Sequence, residues 1–280
     1  MKNRFRSSRF GRSIGLAYLA ITAWCAVPVR ADTVLNGDFE TGSLDGWVVV
    51  DTGSGGWFAY AGQTSPLSGF LVAPPPEGNF AAITDQFGPG SHILYQDVVL
   101  QGPVLNLEPI TGCKHTLSFL LYYENRAGVF YTPDSLDSAN AGPNQQYRVD
   151  VLDPSADPDS VAPADVLAQV FQTHAGDPVS LEPTSMSFDL SPFDGTTVRL
   201  RLAEVDNQFY FQASVDAVQI ERQCDLVTCL IETVASGNPD PTALGACISS
   251  VSTFKAAAPV LHAASNGQSA EGFVPPAYGK

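Results

Sequence analysis

Between residues 33 and 222, short runs of alternating apolar and polar residues are separated by stretches rich in glycine, proline and serine. Alternation at period two over four to eight residues marks half-buried β-strands. It is clearest at Cys113–Tyr123, where Leu117, Phe119, Leu121 and Tyr123 share one face and Thr116, Ser118, Leu120 and Tyr122 the other. That run predicts a central strand. Trp47–Val50 and Trp57–Tyr60 flank a Gly/Ser turn at Asp51–Gly56 and read as a hairpin. Further strands are expected at 79–83, 93–100, 146–152, 166–172, 186–190, 197–205 and 208–220. In the 197–205 run, Arg199 and Arg201 alternate with Val198, Leu200 and Leu202, predicting a strand with one wet face. The pattern as a whole predicts an all-β fold, an antiparallel jelly-roll β-sandwich.

Three intervening stretches read as loops. Residues 61–78 contain Pro74-Pro75-Pro76 and cannot join a sheet ladder except at an edge. Residues 124–144 form a long polar segment with Phe130-Tyr131 as its aromatic tip, and 153–165 are rich in Asp and Pro. Long loops in compact domains are commonly functional.

Both ends depart from the strand pattern. Residues 1–31 carry a basic start, an apolar stretch from Ile14 to Val27 and a small-residue site ending at Ala31, the pattern of a cleaved export signal. The apolar stretch is short of a bilayer span, so the mature chain is expected to have no transmembrane anchor. Residues 225–236 and 242–258 have helical composition around Gly237–Pro241, which predicts a helical hairpin over 224–258 after a sandwich over 32–223. Residues 259–280, rich in Ala, Gly, Ser and Pro, read as a flexible tail.

Composition sharpens this picture. Six of the 14 basic residues lie in the export segment, leaving 8 against 29 acids, a net charge of −21. Such a surface argues against nucleic acid as a partner and suits divalent cations. Cys113, Cys224, Cys229 and Cys247 remain after processing, and an even count in an oxidising compartment predicts two disulfides. Cys229 and Cys247 are equidistant from Asn238 and fall side by side in an antiparallel helical hairpin. Cys113 and Cys224 are left for each other.

Catalytic patterns are scarce. His92, His115, His174 and His262 lack zinc-ligand spacing and read as surface or strand residues. No nucleophile elbow or phosphate-binding loop occurs. Glu124 and Glu204, near aromatic residues, are the acids that could run glycoside hydrolysis. The chain is expected to be non-catalytic.

The opening Asn36-Gly-Asp-Phe-Glu-Thr-Gly-Ser-Leu-Asp-Gly-Trp47 reads as a short strand with Phe39 inward. With Ser214–Ile220 near the end, it resembles the galactose-binding-like β-sandwich domains of the carbohydrate-binding-module type, in which a structural calcium ties the first strand to an acid of the last. A MAM-like jelly roll is the alternative fold. The resemblance implies a structural Ca²⁺ held by Asp38, Glu40 and Asp216, since Ca²⁺ takes hard oxygen donors. It also implies glycan or surface-polymer binding by exposed aromatics, with Tyr122, Arg126 and Tyr131 as candidates and Trp57, Tyr60, Tyr123 and Tyr210 as further platforms. The expectation is an exported binding protein of a bacterium, secreted, periplasmic or at the cell surface. The alternatives are a structural or adhesive surface protein without a sugar site, and a hydrolase accessory or glycosidase.

Overall fold

A computed structural model describes residues 33–102, 113–140 and 142–224, together with Cys229, Leu230, Thr233, Val234 and Cys247. The expected export segment, the tail and most of the helical hairpin lie outside these residues. Among the described residues, ten strands form two five-stranded antiparallel sheets. They are β1 (Val48–Gly53), β2 (Gly56–Tyr60), β3 (Ala81–Asp85), β4 (Gly90–Val99) and β5 (Cys113–Asn125) in the first half. β6 (Gln145–Leu152), β7 (Val166–Gln172), β8 (Ser180–Asp189), β9 (Thr197–Asp206) and β10 (Phe211–Cys224) follow.

The first sheet has the order β1-β4-β9-β6-β7 and the second β2-β3-β10-β5-β8. β1 and β2 therefore do not form the hairpin that their spacing predicts. β1 pairs with β4 and β2 with β3, so the Ser54–Gly55 turn carries the chain from one layer to the other. Gly55 adopts φ +102°, and a Cβ there would lie 2.3 Å from the Asp85 carbonyl oxygen, so only glycine fits this crossing. β5 lies between β10 and β8, an interior strand as its apolar content predicts.

The core lies between the sheets. Leu117, Phe119, Leu121 and Tyr123 of β5 meet Leu94 and Val98 of β4, Val149 and Val151 of β6, and Val198, Leu200 and Leu202 of β9. Burying a side chain of this size contributes roughly 1.5–3 kcal/mol, so this set dominates the stability of the fold. Phe130, expected at a loop tip, is instead buried in this core with its ring edge against Tyr123.

The wet face expected on β9 is dry. The loop 153–165 folds over the outer side of the first sheet, and Arg201 is wholly buried there. Arg201 donates to Asp150 and to the carbonyls of Pro158 and Ser160, while Arg199 pairs with Asp97 and reaches the carbonyls of Pro154 and Ala156. Alternation revealed the two faces of the strand; it could not reveal that a loop covers one of them.

Both disulfides join the expected partners, Cys113 with Cys224 and Cys229 with Cys247. The first closes the β5–β10 ladder, where the two cysteines are register partners. Disulfides of this kind fit an oxidising compartment. No helix among the described residues is long and apolar enough to cross a membrane.

Candidate functional site

Two features converge on β10. One is the opening segment 34–47, and the other is a groove on the outer face of the second sheet.

The opening is a knot of turns, not the strand that its alternation predicts. Asn36 and Phe39 have positive φ, as do Gly42 and Gly46. The Asn36 side chain closes the knot by donating to the carbonyls of Ser43 and Asp45 and accepting from the Thr41 N–H. These bonds replace the ladder contacts a strand would make. Phe39 and Trp47 stack with centroids 5.7 Å apart, and the Trp47 indole donates to the Asn36 carbonyl. The knot docks on a bulge of β10, where Ala217 takes φ +51° and the Val218 N–H donates to the Gly37 carbonyl at 2.8 Å.

Glu40 and Asp216 are brought to the same segment of chain. Glu40 accepts the N–H groups of Asn79 and Phe80, at 2.7 and 2.9 Å, and the Asn79 side chain. The Phe80 and Asn79 bonds hold its carboxyl below the ordinary range. Asp216 is buried and accepts from Ala217 at 2.7 Å and from Glu77 at 3.2 Å. Burial pushes its pKa up to about 6 against those two bonds, and the negative charges of Glu77 and Glu40 add to the rise. Asp38 only accepts the Glu40 N–H at 3.4 Å, a local turn contact. Glu40 and Asp216 thus each accept N–H groups of the 77–80 segment, and Glu77 meets Asp216 through its own N–H and its charge. The three acids do not form one of the converging ligand groups found among the described residues.

The groove is built from the loop 61–78. Asp85 anchors this loop by accepting the N–H groups of Leu67 and Ser68, each at 2.7 Å. Thr64 and Leu71 bridge, so the segment between them stands as a lobe above the sheet. Beneath it, Tyr60, Val72, Ala81, Ile83 and Tyr122 form a small second core on the outer sheet face. The open side, about 580 Å³, is lined by Gln63, Phe70, Tyr122, Glu124, Arg126 and Glu182 among others. The Arg126 guanidinium lies 4.3 Å over the Phe70 ring and donates to the Leu71 carbonyl and to Gln212. Phe70 in turn meets the edge of Tyr210 at 4.9 Å.

The expected ligand residues fare differently. Tyr122 and Arg126 line the same groove. Tyr122 is only 2% exposed and shares a hydrogen bond with the Tyr60 hydroxyl at 2.8 Å, so it forms the floor and offers no open ring face. Tyr131 bridges to Gln145 outside the groove and is 39% exposed. Trp57 and Tyr123 belong to the inter-sheet core and are not platforms. Phe70, Glu182 and Gln212 come from three separate segments, and no spacing in the chain announces them. Glu124 and Glu204 cannot flank one bond: Glu124 lines the outer groove of the second sheet, while Glu204 is wholly buried in the first.

The described residues thus form a two-layered antiparallel β-sandwich carrying an external groove and a knot of turns docked on β10. No protein-family model matches it, and no match was found among curated proteins. Among solved structures, it is similar to a carbohydrate-binding module, TmCBM61, in complex with β-1,4-galactotriose, at 14% identity and TM-score 0.41, over 69% of this chain and 100% of that one. It is also similar to the K3 cleaved adhesin domain of Lys-gingipain from Porphyromonas gingivalis, at 16% identity and TM-score 0.41, over 67% and 96% of the two chains. A Stig cyclase from Fischerella sp. TAU follows at 18% identity and TM-score 0.38, over 70% and 99%.

Proposed function

We propose that this is an exported, non-catalytic binding protein. Its groove beside the 64–71 lobe takes a glycan or another hydroxyl-rich surface polymer, and a structural Ca²⁺ joins the opening knot to β10 through Glu40 and Asp216. The observation that supports the groove is the Arg126–Phe70 stack set beside Glu124, Glu182 and Gln63. A sugar ring presents C–H groups to an aromatic face and hydroxyls to charged and amide groups. The groove offers both kinds of surface in one wall. Arg126 is held from two sides by Leu71 and Gln212, so little side-chain freedom is lost on binding.

The test is calorimetry and glycan-array binding with the full chain. Binding of an oligosaccharide that falls at least tenfold in Phe70→Ala and in Arg126→Ala, with the melting temperature of Phe70→Ala within a few degrees of wild type, supports the reading. Failure to bind any member of a broad panel, or binding indifferent to both changes, overturns it.

Exposed apolar side chains support a second reading, an adhesive surface protein. Leu71 is 74% exposed where it bridges to Thr64 at the base of the lobe, and Phe87 and Phe209 stand 62% and 53% exposed. Loss of attachment to a protein-coated surface in Leu71→Asp, with no glycan bound, would favour it. A hydrolase reading rests on Glu124 and Glu182 in the groove, and polysaccharide turnover abolished by Glu124→Gln or Glu182→Gln would establish it.

A further inference from the structure

At one end of the sandwich the first sheet buries a charged cluster that the proposed function does not use. The strand registers assemble it: Asp51 of β1 faces His92 of β4, His92 faces Glu204 of β9, and Gly90 beside it faces Asp206. One ligand atom each from His92, Glu204 and Asp206 lies within 4.8 Å of the others, and all three residues are buried. It is the one such group among the described residues.

The polar accounting around this cluster is open. Neither carboxylate oxygen of Glu204 has a hydrogen-bond partner, and neither does His92 Nε2, although both residues are fully buried. Buried polar atoms are otherwise almost always paired, and an uncompensated buried carboxylate is among the costliest groups in a protein. His92 Nε2 stands 4.0 Å from Asp206 Oδ1, too far for a hydrogen bond but suited to two atoms that share a ligand. On the other side of the ring, His92 Nδ1 sits 3.1 Å from Asp51 Oδ1. A carboxylate on Nδ1 places the proton there and leaves the Nε2 lone pair directed at Glu204 and Asp206, the outer-shell arrangement of metal-bound histidine.

We propose that His92 Nε2, Glu204 and Asp206 bind a divalent first-row transition metal ion, with Zn²⁺ or Mn²⁺ as its occupant, and that Asp51 orients the histidine. An imidazole nitrogen with two carboxylates suits these ions, whereas Ca²⁺ takes oxygen donors throughout. The ion compensates three converging acids and accepts the lone pairs that the protein leaves unpaired. Of the three, Asp206 also lines a pocket of about 290 Å³ between the 86–89 and 207–210 loops, beside the exposed rings of Phe87 and Phe209. Three protein donors leave at least one coordination position for water. The competing occupant is a proton shared between the carboxylates. Burial, followed by the charges of Asp206 and Asp51, raises the Glu204 carboxyl well above its ordinary range, which either occupant would relieve.

The test uses the full chain stripped with chelator, dialysed against Zn²⁺ or Mn²⁺ and read by elemental mass spectrometry. One equivalent bound by wild type and by Asp216→Asn, but lost in Glu204→Gln and His92→Gln with unchanged circular dichroism, is the expected result. The Asp216 variant separates this ion from the proposed calcium. Should the cluster variants fail to fold, anomalous scattering from Mn²⁺-soaked wild-type crystals decides, with a peak expected between His92 and Glu204. Folded wild type that takes up no ion at millimolar metal would overturn the proposal and leave the shared proton as the occupant, and an equivalent that survives both cluster variants would overturn it as well.

Discussion

Arg201 Nη2 lies 2.6 Å from Asp150 Oδ2, with both side chains wholly buried on the outer side of the first sheet. Asp150 also holds Arg148 through paired bonds of 2.7 and 2.8 Å, so a single carboxylate compensates two guanidinium groups. Removing Asp150 therefore differs in kind from removing either arginine. Asp150→Asn leaves two buried cations facing each other and should cost about 3–5 kcal/mol. Arg201→Met leaves the Asp150–Arg148 pair intact and should cost less. Chemical denaturation of the two variants side by side checks the order, and equal losses would mean that the three groups do not act as a unit.

Asp85 should govern the lobe over the groove. Asp85→Asn weakens its bonds to Leu67 and Ser68, at an expected loss of roughly 1–3 kcal/mol, and should increase proteolysis within 61–78. Its pH dependence follows from the direction of the shift. Burial pushes the Asp85 carboxyl up, but bonds from Ser68, Leu67 and Ser65 outweigh burial and leave it below the ordinary 3.8. A carboxyl depressed on folding adds stability that is fully present above the unfolded-chain value and lost as pH falls through the folded one. The stability gap between wild type and Asp85→Asn should hold from neutral pH down to about pH 5 and close below the ordinary carboxylate pKa. Melting curves at stepped pH read it.

Gly37 carries the contact between the opening knot and β10. A Cβ at this position would sit 2.0 Å from the Val218 carbonyl oxygen, which is backbone and cannot swing aside. Gly37→Ala should cost about 1–3 kcal/mol, the range of overpacking. Gly62→Ala meets nothing within 4 Å and isolates the strain of positive φ, +78°, from any clash. If Gly37→Ala melts with wild type, the docking of the knot is not tight.

Calcium removal gives the check on Glu40 and Asp216. If the ion binds only the folded chain, then at a hundredfold excess over its dissociation constant it adds about 2.7 kcal/mol. Stripping it with a calcium-selective chelator should lower the melting temperature by roughly 5–10 °C for a domain of this size. Asp216→Asn should abolish the response and Asp38→Asn should not, because Asp38 makes only a local turn contact. A chelator without effect on wild type would remove calcium from the proposal.

The chain by itself determined ten strands, the inner face of β5 and the disulfide pairs, but not the opening segment, which alternates like a strand and folds as turns. Leu117, Phe119, Leu121 and Tyr123 point into the core because side chains on a strand alternate and apolar ones leave water, a rule local to each segment. Only the tertiary structure decided which strands pair. β1 and β2 look like a hairpin in sequence, yet they part into different sheets at Gly55. It also decided which polar residues are dry: Arg201 and Tyr122 are buried by loops distant in sequence, and His92 meets Glu204 through a register that aligns residues 112 positions apart. Burial and electrostatics depend on neighbours in space, which alternation along one strand does not encode.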